Sequence, residues 1–350
     1  MNIISGLRAA IMVRSEQVEW AGGVMRRRHA VLVRVESDDG RIGWGEIGEV
    51  YFDPELYVNL VNQRVAPLLN GRSFDNPAAL EPFLQAALIS LGYTGMVCAI
   101  ISGIKLAFYN LLAPPVSEPI DVPVYLSAGF SRDLGALKDE CRQAMAGGFT
   151  AIKIRGLLGI ARDVERMTAT RQTVGDGIGL ILELNQPYVP TPYSFPDVVA
   201  ICEQMQTLDP LWIEEPFGAD DLDAYQALHR INPGVPIGCG ENLYTGRQFR
   251  EFAEVVDVLQ PDLARMGGVD ALERVAASGK PLAPHQLGAS VALWTLIRAF
   301  GHRPEIMMIE LDRFTNPLRD LIFGRPLIPE NGRLRTPPAD LSRLNEFHWG

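Results

Sequence analysis

The sequence predicts an α/β protein, a (β/α)8-type barrel preceded by an antiparallel α+β region. Three observations predict it. Alternating apolar residues flank a turn near the N-terminus, a Pro-rich stretch then breaks the pattern, and beyond it short apolar runs recur at the spacing of strand–helix units. At 350 residues and 47% hydrophobic content the chain has material for about two domains and a large core.

Taken in order, "AVLVRVESDDGRIGWGEI" alternates through Val31, Val33 and Val35 to Asp38-Asp39-Gly40, a hairpin turn, and then resumes. Residues 55–113 carry helical periodicity. Their longest apolar stretch, "MVCAIISGIKLAFYNLLA", is interrupted by Lys105 and closed by Pro114-Pro115, so it predicts a buried helix and not a membrane span. "APPVSEPIDVP" (113–123) has no periodicity and marks the best domain boundary. Eight strands follow: "VPVYLS", "TAIKIR", "IGLILELN", "LWIEEP", "PIGCGEN", "VDVLQPD", "KPLAPH" and "EIMMIEL". From the second onward each ends in a polar or charged residue: Arg155, Glu183, Glu214, Glu241, Asp262, His285 and Glu310. These are spaced by 28, 31, 27, 21, 23 and 25 residues. In a barrel, strand C-termini are where catalytic groups sit. A doubly wound open sheet is the structural alternative, but no Gly-rich phosphate loop follows a strand.

Composition excludes several classes. The net charge of −10 argues against a nucleic-acid surface, and handling an anionic small molecule would need a local cation. Lysine is scarce (Lys105, Lys138, Lys153 and Lys280), so each one invites a question. The four cysteines form no CxxC pair, which suits a reducing compartment and offers no thiolate metal site. The N-terminus shows no signal-peptide apolar core, so a cytoplasmic protein away from membranes is expected.

Glu183, Glu214 and Glu241 end consecutive strands. Neighbouring strands lie about 4.8 Å apart, so these carboxylates converge. Without a counter-charge they would repel and take up protons. A hard divalent cation resolves this, and an all-oxygen donor set points to Mg²⁺ or Mn²⁺ and away from zinc. The alternative for each acid is a pairing with a barrel arginine.

The ordered set "KIR", "ELNQ", "WIEEP", "GEN", "PDLARMGG", "PHQLG" and "IEL" resembles the enolase superfamily, mandelate racemase branch, over nearly the whole chain, and "GRIGWGEI" resembles its capping domain. The resemblance implies a capping domain at 1–118, a modified (β/α)7β-like barrel at 119–325, and a C-terminal segment, 326–350, packing back on the capping domain. It implies Glu183, Glu214 and Glu241 as Mg²⁺ ligands, with Glu215 a neighbour. Glu310 resembles the group that hydrogen-bonds the substrate carboxylate, which implies a raised pKa; a salt bridge closing the barrel is the alternative. Asp262 and His285 would form a dyad that fixes the imidazole tautomer and raises its basicity. Asn185, Trp20, Arg26 and Tyr51 are candidate substrate contacts, the last three in "SEQVEWAGGVMRRRH" and "GEVYFDPE", which resemble the family's two capping loops. A small carboxylate substrate and a homo-oligomeric state are expected.

Three departures from the family stand out. Glu183 replaces the usual Asp. The family's Lys-x-Lys is Lys153-Ile154-Arg155, which puts Arg155, a poor base, on one base position. Lys105 and Asn110 stand at usually acidic positions. Such sites pair Mg²⁺ with a Lys or His base to remove a proton α to a carboxylate, a known pattern of the superfamily. With one base disarmed, His285 serving first as base and then as acid favours syn dehydration of an acid sugar to a 2-keto-3-deoxy acid. The alternatives are a racemase or epimerase using Lys153, its pKa depressed by Arg155, as second base; a non-catalytic metal-binding relative; or an unrelated barrel enzyme.

Overall fold

The computed structural model describes residues 2–14, 18–20, 23–25, 28–48, 50 and 53–346. β1 (Asn2–Arg14) is followed by a two-stranded ribbon, β2 (Val18–Trp20) and β3 (Gly23–Met25). The predicted hairpin joins β4 (Arg28–Ser37) to β5 (Ile42–Ile47), and with β6 (Ser73–Phe74) they make an antiparallel sheet in the order β5-β4-β1-β6. Helices α1 (Pro54–Leu60), α2 (Ala66–Leu69), α3 (Leu80–Leu88) and α4 (Met96–Leu112) supply the other half of this unit.

The glycines of "GRIGWGEI" have a steric cause. A Cβ on Gly45 would stand 2.0 Å from the Gly103 carbonyl oxygen, and one on Gly43 would stand 2.1 Å from that of Ala107. Only glycine lets β5 lie directly against α4. No described helix is long and apolar enough to cross a membrane.

The barrel alternates strands and helices: β7 (Ile120–Ser127), α5 (Leu134–Ala146), β8 (Ala151–Arg155), α6 (Ile160–Val174), β9 (Gly179–Glu183), α7 (Phe195–Met205), β10 (Trp212–Glu214) and α8 (Leu222–Ile231). It continues through β11 (Ile237–Cys239), α9 (Gly246–Ala253), β12 (Val258–Leu259), α10 (Val269–Ala276), α11 (Val291–Phe300), β13 (Ile309–Asp312) and α12 (Pro317–Phe323). The parallel order is β12-β11-β10-β9-β8-β7-β13. All eight predicted strand segments take their places, but "KPLAPH" is reduced to bridges at Leu282, to Leu259 on one side and Ile306 on the other. Pro281 and Pro284 have no N–H to give a ladder, which explains the reduction.

Inside the ring, Tyr125, Ile181, Trp212, Val258 and Ala283 form a packed layer. The alternate positions, such as Ile152, Leu182 and Ile213, pack outward beneath the helices. By the two-residue period of a strand, Lys153 and Arg155, Glu183, and Glu214 continue the inward rows at their C-terminal ends. The C-terminal segment joins the barrel, because β14 (Arg333–Thr336) pairs antiparallel with β7, from Arg333 opposite Pro123 to Thr336 opposite Ile120.

Candidate active site

Strand register brings the charged ends together: Arg155 lies opposite Glu183, and Glu183 opposite Glu214. Turns then separate neighbours in sequence. Asn185 (φ 47°) and Glu215 (φ 48°) adopt the left-handed conformation just past their strands, so Glu215 leaves the row that Glu214 ends. Glu215 accepts from the Gly240 amide at 3.2 Å and Asn242 Nδ2 at 3.4 Å.

One oxygen each of Glu183, Glu214 and Glu241 lies within 4.8 Å of the others, and all three residues are buried. Lys153 Nζ donates to Glu214 Oε1 at 2.5 Å and lies 3.0 Å from Glu310 Oε1 and 3.1 Å from Glu183 Oε2. Arg155 donates from Nη1 to Glu183 Oε2 at 3.1 Å and to Asn185 Oδ1 at 3.2 Å, and from Nη2 to Ser127 Oγ at 2.9 Å. Its guanidinium stacks over Phe130, 5.0 Å from the ring centre. On the opposite side His285 Nδ1 meets Asp262 Oδ2 at 3.0 Å, while Nε2 lies 3.2 Å from Glu241 Oε2 and 3.6 Å from Glu310 Oε2.

Electrostatics corrects two expectations. Burial alone would lower the pKa of Lys153, but Glu214, Glu310, Tyr125 and Glu183 outweigh it and push it well above the ordinary lysine value. This direction is opposite to the depression expected from Arg155, whose guanidinium is engaged by Glu183. Glu310, for which the resemblance implied a raised pKa, is held well below the carboxylate range. Burial opposes this, yet Lys153, His285 and Arg155 prevail. Glu183 is likewise kept at about 2, against burial, chiefly by Lys153 and also by Glu214 and Arg155. Burial and the charge of Glu183 push Glu214 well up. Burial, Glu241 and Glu183 push Glu215 up to about 8.

These directions bear on metal fit. Six acids, Glu183, Glu214, Glu215, Glu241, Asp262 and Glu310, share buried space with Lys153 and Arg155, and Arg265 is further out on Asn242 and Tyr244. Cations of the chain therefore meet Glu183 and Glu214, as the arginine alternative foresaw in part, while Glu241 faces His285 and Asn242. The oxygen donors suit Mg²⁺ or Mn²⁺. Oxygens bound at about 2.1 Å to one ion cannot stand more than about 4.2 Å apart, so the three glutamates, whose oxygens lie within 4.8 Å of one another, would draw inward to hold it.

Asn185 thus joins the site through Arg155, and its amide donates to Glu183 Oε1 at 3.0 Å. Trp20 lies in the β2–β3 ribbon without a described side chain, and Arg26 and Tyr51 lie outside the described residues. Sequence reasoning missed Ser127 and Trp212, whose Nε1 donates to Glu214 Oε2 at 3.1 Å. The signal for Ser127 was present: it ends the first barrel strand in a polar residue, as the other seven strands end.

Residues 136–340 match the family model described as enolase C-terminal domain-like. The chain is 26% identical to the D-galactarolactone cycloisomerase of Agrobacterium fabrum, covering 95% of this chain and 94% of that protein. It is 26% identical to the arabinonate dehydratase of Saccharolobus solfataricus, covering 88% and 85%. A racemase from Streptomyces coelicolor A3(2), solved with bound magnesium, shares the fold with a TM-score of 0.84 at 22% identity, covering 98% of this chain and 99% of that one.

Proposed function

Because the chain belongs to the enolase superfamily, in the branch of mandelate racemase and muconate lactonizing enzyme, we propose that it removes the proton α to the carboxylate of an acid sugar and expels a β-oxygen, most simply as water, to give a 2-keto-3-deoxy acid. The observation that carries this reading is the asymmetry of the bases. Asp262 orients and supports His285 on one side, while on the other Lys153 is ion-paired with Glu214, Glu310 and Glu183, and Arg155 is bonded to Glu183, Asn185 and Ser127.

Glu183, Glu214 and Glu241 would hold Mg²⁺, which when bound neutralises charge building on the substrate carboxylate. His285 Nε2, with Nδ1–H turned to Asp262, takes the α-proton. The resulting imidazolium stands on the same face and protonates the departing β-oxygen, which makes the elimination syn. Arg155 and Lys153 offset negative charge on the intermediate. Glu310, kept ionised, stabilises the imidazolium and the ammonium of Lys153. Loss of Lys153 as a base leaves two-face racemisation without its second partner.

A variant of the same step is favoured by the relatives, since a cycloisomerase and a dehydratase match equally at 26% identity. If the β-oxygen belongs to a lactone or anhydro ring, the same proton transfers open the ring in place of releasing water. The test is a semicarbazide screen for 2-keto acid across mono- and diacid sugars and their lactones, with Mg²⁺ and with EDTA. A metal-dependent product is expected, and His285→Asn should cut its rate by about 10²–10⁴-fold. Inversion at the α-carbon with no keto acid formed would overturn the proposal in favour of a racemase.

A further inference from the structure

Lys105 and Asn110 lie on α4, and in this chain both face the barrel. The Lys105 ammonium is fully buried, bonded to Glu81 of α3 and, at 3.0 Å, to Asp270 Oδ2 of α10. Arg274 closes the cluster on the same Asp270 oxygen at 3.0 Å. A buried ammonium must keep its partners or stand as an uncompensated charge, so such a cluster tolerates one register of α4 against α10.

What lies directly over that cluster is the turn carrying Asp262. A Cβ on Gly268 would sit 3.4 Å from Lys105 Cβ, and the Gly267 amide donates to Ser102 Oγ at 2.7 Å, one α4 turn from Lys105. Gly48, just past β5, donates its amide to the Ala264 carbonyl at 3.2 Å. Inside the turn the Ala264 amide donates to Asp262 Oδ1 at 2.8 Å, leaving Oδ2 to His285. The histidine side is gripped by the same unit. Glu46 of β5 accepts from the Ser290 and Ala292 amides at 2.8 and 3.0 Å where α11 begins, and Asn110 Nδ2 donates to Thr295 Oγ1 at 2.7 Å.

We propose that the Lys105–Glu81–Asp270 cluster is a positioning device that sets the Asp262 turn against His285, so that the N-terminal unit aligns the proton-transfer pair. Lys105 is a positioning residue: it acts through the Gly267-Gly268 turn and touches neither dyad member. The importance of the alignment for turnover rests on the acid–base reading of Asp262 and His285, but the alignment can be measured without a substrate.

The experiment uses the full-length protein loaded with Mg²⁺. The downfield proton NMR signal of His285 Nδ1–H is assigned by its loss in Asp262→Asn and then compared in wild type, Lys105→Met and Asp270→Asn. The last variant keeps the Lys105–Glu81 pair and so guards against simple misfolding. Both variants are expected to shift or broaden that signal and to speed amide hydrogen exchange over 262–268 by about tenfold or more, with β8 and β9 unchanged. On any substrate found in the keto-acid screen, kcat should fall with KM retained. An unchanged signal with unchanged exchange in both variants overturns the proposal, as does acceleration spread evenly over the barrel. A wild type silent in every screen would count against the proposed reaction and leave the NMR result to decide the positioning role.

Discussion

Arg155 shows what one residue decides. Its guanidinium reaches Glu183, Asn185 and Ser127 at once, a three-way grip that a single ammonium cannot reproduce. Arg155→Lys keeps the charge but gives up at least one charge-assisted hydrogen bond, worth about 1.5–3 kcal/mol. The kcat/KM on the substrate found by screening should therefore fall by about ten- to a hundredfold, measured by steady-state kinetics. A variant as active as wild type would remove Arg155 from the machinery. That Arg155 is no base was legible from its chemistry alone. The upward push on Lys153 was not, because it comes from Glu214 and Glu310, 61 and 157 residues away in sequence.

At the scale of elements, periodicity carried most of the information. The alternation around Gly40, the apolar α4 stretch and the polar strand ends each correspond to an element in the structure. The seventh strand was legible as a segment but not as a bridge, although its prolines held the reason. The β5–α4 contact makes a sharp stability prediction. Gly45→Ala places a methyl 2.0 Å from a backbone oxygen that no rotamer can move away. It should cost about 3 kcal/mol, at the upper end for overpacking. Gly177→Ala, with nothing within 4 Å of the added Cβ, should stay within about 0.5 kcal/mol. Urea unfolding of the two variants checks this, and equal midpoints would show that the strand–helix approach is looser than the structure has it.

For the whole molecule the buried acids couple stability to metal and to pH. Mg²⁺ binding only the folded state should stabilise it by about 2.7 kcal/mol at a hundredfold excess over Kd, and Glu241→Gln should lose most of that gain. The pH dependence follows in sign from Glu214 and Glu215, whose metal-free pKa values lie above the ordinary carboxylate value, Glu215 at about 8. Metal favours their ionised forms and so releases protons on binding. The Mg²⁺-induced rise in thermal midpoint should therefore grow as pH increases toward 8 and shrink as it falls toward 5. A rise independent of pH would mean that these acids are already ionised in the metal-free protein.

The sequence by itself determined which residues reach the C-terminal end of the barrel and on which face, since a period of two and a repeat near 25 residues depend only on local chain geometry. It also determined that three acids converge and that a histidine and an aspartate follow them. Only the tertiary structure decided which cation meets which acid, in which direction burial and neighbouring charges push Lys153 and Glu310, that the C-terminal strand joins β7, and that Lys105 ties α4 to α10. Those outcomes depend on distances of a few ångströms between residues far apart in the chain, and on how burial weighs against a neighbouring charge. Periodicity assigns a side chain to a face; it does not set the partner waiting there.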